Sequence, residues 1–308
     1  MRRASSQLAS LQRLLDREIT VALVAEELHV IHADAPAQEA RRELEARGFD
    51  GCGVARGASV HEYVERTALH AGSVGDHARP VPLERVVAPS TPLWACMKRL
   101  ACDGPLYVLG DQGDDGYYGL DGIVTKFDLG KQPARLLMFG VVSLLEMTML
   151  ALARREADES WRKCLSEARL EAAKELHWAR QQRGEEIDLL DCLQLSDKVA
   201  IFVRTEPLRA LLGDSVQRIK RQFSSLQKIR DNLAHAQSPA AAGDWAGVIA
   251  TLQWGHAILD VCVAALTRGT EPPAHHAISP SAGETARAHG AKGREGETPS
   301  QSLGSCSS

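Results

Sequence analysis

The sequence predicts an α+β protein: an N-terminal half made of a repeated β-α-β-β-α unit, then an all-α helical bundle, then a tail. Three observations predict it. From Ile19 to about Leu129 short strand-like and helix-like segments alternate, and the stretch lies over itself once, "HVIHADAPAQEARRELEARGFDGCGV" over "RVVAPSTPLWACMKRLACDGPLYVL" and "EYVERTAL" over "GIVTKFDL". From Leu136 to Thr267 apolar residues instead recur every three and four positions, the period of helices that bury one face. From Gly269 the chain turns to Gly, Ser, Ala, Pro, Glu and His with almost no large apolar residue, a composition that cannot offset the entropy of ordering it. The expected divisions are therefore an N-terminal helix at 1–18, the repeated module at 19–134, the bundle at 135–268 and a disordered tail at 269–308. A length of 308 residues gives a prior of about two domains, and 44% apolar residues are enough for a sizeable core.

Each element has its own reason. In residues 1–18, Leu8, Leu11, Leu14 and Leu15 fall on one side of a short helix. In the first repeat, Ala37 to Arg47 reads as a helix, Gly51 to Val54 and Glu62 to Val64 as strands, and Arg66 to Ala71 as a short helix. In the second, Pro92 to Ala101 reads as a helix, Leu106 to Leu109 and Gly122 to Val124 as strands, and Thr125 opens another helix. Asp111 to Gly122 is acidic and glycine-rich like a calcium loop but lacks the terminal glutamate, so it reads as a long hairpin loop. Gly130 to Arg135, with Pro133, reads as a linker. The expected bundle helices are Leu136 to Glu156, Ser160 to Arg183 with Asp158 as cap and Gly184 as stop, Leu189 to Arg204, and Leu208 to Leu212. Two more follow: Asp214 to Ala236, apolar along Val216, Ile219, Phe223, Leu226, Ile229 and Leu233, and Trp245 to Thr267 behind Asp244.

Charge and cysteine usage exclude several classes. With 36 basic and 40 acidic residues the net charge is −4, so any nucleic-acid surface must be local. None of the seven cysteines forms a C-x-x-C pair; they read as reduced core residues of a cytoplasmic protein, and no metal ligands are assigned. Met-Arg-Arg opens the chain, but Ser5 to Asp16 is too polar for a signal-peptide core. Leu136 to Ala153 approaches the length of a membrane span, yet Glu146 in its middle makes a lone span costly. A buried bundle helix and no stable membrane association are expected, a membrane-associated regulator being the weaker alternative.

One motif ends the second repeat: Gly122-Ile123-Val124-Thr125-Lys126-Phe127-Asp128-Leu129. A strand that turns into a helix here presents a hydroxyl beside backbone N–H groups, which suits phosphate, and a carboxylate one turn later, which suits a ribose diol because it only accepts hydrogen bonds. This resembles the strand-to-helix turn of CBS domains, adenine-nucleotide sensors that occur in tandem pairs. The resemblance implies that Thr125 contacts phosphate, that Asp128 holds the ribose, and that residues near Ala88 to Pro92 line the base. The first repeat has Glu65 and Ala68 at the matching positions. Glu65 would repel phosphate and Ala68 cannot hold a diol, so at most one competent site is expected, in the second repeat. A degenerate pair serving only as a dimerisation scaffold is the alternative.

A second motif, Arg230-Asp231-Asn232-Leu233-Ala234-His235, lies late in the most amphipathic helix. It resembles the signature of HEPN domains, helical bundles that include metal-independent ribonucleases and inactive relatives. RNA cleavage without metal needs a base for the 2′-hydroxyl proton, a role histidine fits, and a cation for the charge growing on phosphorus, a role arginine fits. The resemblance implies catalytic roles for Arg230 and His235, with Asp231 orienting the histidine of its own or the partner chain. Asn232, Arg221 and Lys228 would contact an RNA substrate. Residues five apart stand about 140° apart around a helix, so one helix points the pair only partly the same way; the resemblance implies a homodimer in which two motifs line one cleft. The combined expectation is a module sensing an adenine nucleotide as regulatory ligand and controlling a cofactor-free ribonuclease. The alternative is a non-catalytic, nucleotide-responsive dimeric binding protein.

Overall fold

The computed structural model describes residues 2–57, 59–112, 118–240 and 244–268. The expectation for 269–308, and the centre of the loop between Asp111 and Gly122, fall outside them.

Helix α1 (Arg2–Arg17) leads into strand β1 (Glu26–Glu27). The first unit is β2 (Val30–His32), α2 (Ala37–Arg47), β3 (Gly51–Arg56) and β4 (Ser59–Glu65). The second is led in by β5 (Arg79–Pro80) and consists of β6 (Val86–Val87), α3 (Leu93–Cys102), β7 (Leu106–Gln112) and β8 (Tyr118–Val124). Helix α2 stops at Gly48, whose φ of +71° suits a residue without Cβ; there Phe49 N–H reaches the Leu44 carbonyl at 2.8 Å.

The two units interlock. Each sheet has a parallel pair, β2 with β3 and β6 with β7, and an antiparallel hairpin, β3–β4 and β7–β8. The fourth strand of each sheet comes from the lead-in of the other unit: β1 pairs with β8, and β5 with β4. The exchange is matched by two further bridges, Thr20 with Pro92 and Ser73 with Pro36. Gly122 makes room for it, since a Cβ there would meet Val108 Cβ at 3.0 Å and the Glu26 carbonyl at 3.4 Å. Leu28, Val81, Tyr107 and Leu120 form a cluster of their own, with Val60 and Tyr63 against it and the two tyrosine rings 5.7 Å apart.

The C-terminal part holds α4 (Gln132–Glu156), α5 (Glu167–Gln181), α6 (Leu195–Arg204), α7 (Glu206–Leu212), α8 (Val216–Ala234) and α9 (Trp245–Arg268). Helix α4 is the bundle's axis and buries residues along its whole length, from Ala134 through Leu137, Met138, Leu145 and Met149 to Ala153. Both α4 and α9 are long and apolar enough to cross a membrane; in this fold they pack on each other and on α8. The first unit has a small core of its own around Ala37, Leu44, Val54 and Leu69. The core of the second unit, including Leu93, Met97, Leu106 and Leu129, is instead continuous with that of the bundle. Helix α1 lies on α3, α4 and α9, with Leu15 so close to Gly140 that a Cβ there would sit 2.8 Å from it.

Several expected elements are corrected. The helix predicted over Ser160 to Arg183 is two pieces, a 3-10 turn at Glu159–Cys164 and α5, which restarts where the Ser166 hydroxyl accepts from Arg169 N–H at 3.4 Å. Leu189 to Arg204 likewise divides into a turn at Leu189–Cys192 and α6, because Gln194 starts a new capping box with Asp197. Arg66 to Ala71 shortens to a 3-10 turn at Arg66–Ala68. The element opened by Thr125 is also a 3-10 turn, Lys126–Gly130, and the linker predicted at Gly130 to Arg135 is mostly helix. Pro133 sits in the first turn of α4, where its missing N–H has no helical partner to lose.

Candidate functional site

The strand-to-helix turn of the second repeat is held by its own side chains. Thr125 is extended (φ −118°, ψ 171°) and caps the 3-10 turn, its hydroxyl accepting from Phe127 N–H at 3.3 Å. Asp128 Oδ2 accepts from the Thr125 N–H at 2.7 Å and from its hydroxyl at 2.9 Å. Asp128 Oδ1 lies 2.9 Å from the ammonium of Lys131, which also donates to the Val24 carbonyl at 2.7 Å and pairs with Glu26. Burial pulls the Lys131 pKa down, but its bonds to Glu26 and Asp128 and their charges win, and it stands above the ordinary value. Asp128 is only 7% exposed. Both of its oxygens thus serve the fold. Lys131 was not among the sequence-predicted residues, because its partner Glu26 is far away in the chain.

The matching place in the first repeat is different. Glu65 precedes the turn Arg66–Ala68 and caps it with no side-chain bond. Here a small, shallow recess, partly open to solvent, is lined by Tyr63, Val64, Glu65, Ala68, His77 and Arg79. His77 and Arg79 belong to the lead-in of the second unit, as Val24 and Glu26 at the other turn belong to that of the first. His77 Nε2 lies 2.8 Å from the Ala71 carbonyl. The sequence pointed to the second repeat; this recess lies at the first.

On α8 the structure turns the motif residues apart. Arg230 faces inward. Its Nη1 donates to Glu146 Oε2 on α4 at 3.0 Å, and its Nε and Nη2 donate to Asp231 Oδ1 at 3.2 and 3.0 Å. Glu146 Oε1 accepts from Lys198 of α6 at 2.7 Å, and Lys198 is 5% exposed. Burial lowers the Arg230 pKa, but bonding to Asp231 and the charge of Glu146 raise it further, so it stays charged. Asp231 Oδ1 therefore serves Arg230. His235 is the exposed C-cap of α8. The next residue, Ala236, has φ +56°, a left-handed conformation that costs a non-glycine residue about 1 kcal/mol. That turn is closed by Gln237 N–H on the Asn232 carbonyl at 2.8 Å, and Arg135 donates to the Leu233 and Gln237 carbonyls at 3.1 and 2.8 Å. Arg221, Lys228, Asn232 and His235 fall within about 60° of one another around the helix at 100° per residue; all but the half-buried Asn232 are exposed.

No family model and no curated protein matches this chain. Several solved structures do, over its N-terminal part. One is described as CBSX2 in complex with AMP, 24% identical over 36% of this chain and 92% of that one, TM-score 0.31. Another is the CBS-pair protein CBSX2 from Arabidopsis thaliana, 24% identical over 36% and 90%, TM-score 0.30. A third is a CBS domain-containing protein from Bacillus anthracis, 13% identical over 37% and 91%, TM-score 0.31.

Proposed function

We propose that the N-terminal half is a CBS-type pair that senses an adenine nucleotide and regulates the helical half. The observation that carries this reading is the strand exchange. It sets the lead-in of each unit against the strand-to-helix turn of the other, so a ligand at either turn touches both units. A ligand shifts a conformational equilibrium only by its differential affinity for the two states, and a seat shared by two units supplies that difference. In the first-repeat recess Arg79 would attract an anionic ligand and Tyr63 lies beside it, but an anion is accommodated only with the Glu65 carboxylate turned away. As it stands the recess is far too small to seat a nucleotide, so binding one requires the exposed Glu65 and Arg79 side chains to move. Calorimetry of the full chain with AMP, ATP and adenosine tests this. Nucleotide should bind, and Arg79→Ala should weaken it about tenfold or more, the worth of a charge-assisted hydrogen bond. No binding of any of the three at millimolar concentration defeats the sensor reading and leaves the pair as a scaffold.

A second reading, metal-independent RNA cleavage by a homodimer of the helical half, is favoured by the exposed face carrying Arg221, Lys228 and His235 beside a strained cap. Arg230, committed to Glu146 and Asp231, serves this reading only after exchanging partners. Labelled RNA incubated with the full chain in EDTA, with and without nucleotide, tests it. Cleavage lost in His235→Ala supports it; identical behaviour of wild type and variant leaves the helical half as a binding module. Light scattering of the full chain reports the dimer.

A further inference from the structure

His256 on α9 joins three elements. Its Nε2 lies 2.7 Å from Asp16 Oδ1 on α1, and its Nδ1 lies 3.3 Å from Asp260 Oδ2, one turn along α9. Trp94 of α3 stacks on the ring, with centroids 4.6 Å apart and planes 24° apart. Gln12 of α1 donates to the other oxygen of Asp260. The ring is 12% exposed. A neutral imidazole donates through one nitrogen only; two carboxylates on two nitrogens are both satisfied only when the ring is protonated.

We propose that His256 is a proton-operated joint: charged, it clamps α1 between the second repeat and the bundle, and on losing its proton it keeps at most one of its two carboxylate bonds and loosens α1. Leu8, Gln12, Leu15 and Asp16 form the docking stripe of α1, with Leu8 and Gln12 buried and Leu15 and Asp16 half-buried. The polar cluster is therefore a large share of what holds the helix. Loosening α1 uncovers the strip of α4 around Gly140 on which Leu15 rests. It also loosens the junction of α3 with α9, through which the repeats meet the bundle.

The charged groups acting on the ring are Asp16 from α1 and Asp260 from α9, while α3 presents the uncharged Trp94. Of the charges on the other helices packed on α9, Lys220, Arg221 and Lys228 of α8 are exposed, and the following are engaged elsewhere. On α4, Glu146 holds Lys198 and Arg230, Arg154 holds Asp188 and Asp191, Arg155 holds Glu156 and the Ala265 carbonyl, and Arg135 holds the end of α8. On α7, Arg209 pairs with Glu206; on α8, Arg218 pairs with Asp214. Burial of His256 lowers its pKa, but the Asp16 hydrogen bond and the charges of Asp16 and Asp260 outweigh this and raise it. A raised folded-state pKa gives stability that is fully present below the unfolded value, about 6.5, and is lost as pH rises through the folded value.

Hydrogen exchange of the full chain across about pH 6 to 9, corrected for intrinsic amide rates, tests the joint. Protection of residues 6–17 should fall about tenfold or more with rising pH, while the centre of α4 stays protected. His256→Gln should leave α1 weakly protected with a flat profile. Asp16→Asn, which keeps the ring, should move the profile to lower pH. Proton NMR of wild type should show His256 titrating above the ordinary histidine value. A flat wild-type profile, a His256→Gln profile like that of wild type, or titration at or below the ordinary value overturns the proposal.

Discussion

At the scale of single residues, Asp128 shows how one side chain serves two expectations. Its place three residues after Thr125 was legible as a signature, but the same spacing is that of a capping box, and the fold uses it so. What the spacing could not show is Lys131, whose ammonium joins Asp128 to Glu26 across the strand exchange. The structure therefore predicts a stability effect where the signature alone predicts a binding effect. Asp128→Ala removes the cap of the turn and the buried partner of Lys131, and should cost about 1–3 kcal/mol of unfolding free energy. Urea denaturation without ligand measures it. Unchanged stability would mean that the carboxylate is free for a ligand after all. Binding data on this variant are interpretable only beside that measurement.

Among the elements, legibility followed what ends a helix. Helix α2 ends at a glycine and α3 begins after a proline, and both were read to within a residue from sequence. The breaks at Leu165 and Leu193 carry neither residue, and the apolar period runs through them, so only the caps at Ser166 and Gln194 reveal them. The glutamate within α4 was legible as costly, but not what satisfies it: Lys198 lies 52 residues away and Arg230 lies 84 away. This cluster ties α4, α6 and α8. Glu146→Ala leaves two half-to-fully buried cations without their shared anion, and should cost about 3 kcal/mol, the lower end for breaking a buried pair because Arg230 is partly exposed. Replacing the pair together, Glu146→Leu with Lys198→Met, should restore most of that loss, since apolar residues of similar size avoid the desolvation penalty. Thermal and chemical denaturation of the three proteins decide it. Equal stability of wild type and Glu146→Ala would show the cluster to be idle. The same contact governs any activity assay on Arg230→Ala, whose lost activity and lost stability must be separated.

For the whole molecule, the two halves that composition and periodicity separate so clearly are not separate in their packing. Leu93, Met97 and Leu129 of the second unit join one core with Leu137, Met138 and Leu259 of the bundle, and α9 carries α3 and α1 on its surface. Sequence periodicity reports which face of a helix is apolar, not which partner covers it, so this union was not legible. It has a direct consequence. A bundle cut at 135–268 loses α1 and α3 and exposes the face of α9 and α4 that they cover. Uncovering Leu8, Leu93 and Met97 contacts removes side-chain burial worth about 1.5–3 kcal/mol each, a total comparable with the roughly 5–15 kcal/mol that stabilises a typical domain. The fragment should therefore be soluble only poorly, melt broadly or not at all, and bind hydrophobic dyes. The full chain through residue 268 should instead unfold with the second unit and the bundle in one transition, followed by hydrogen exchange in α3 and α4 together. A sharp, reversible melt of the 135–268 fragment near that of the full chain would show that the bundle stands alone. In that case a signal from the repeats would have to reach it by a route other than a shared core.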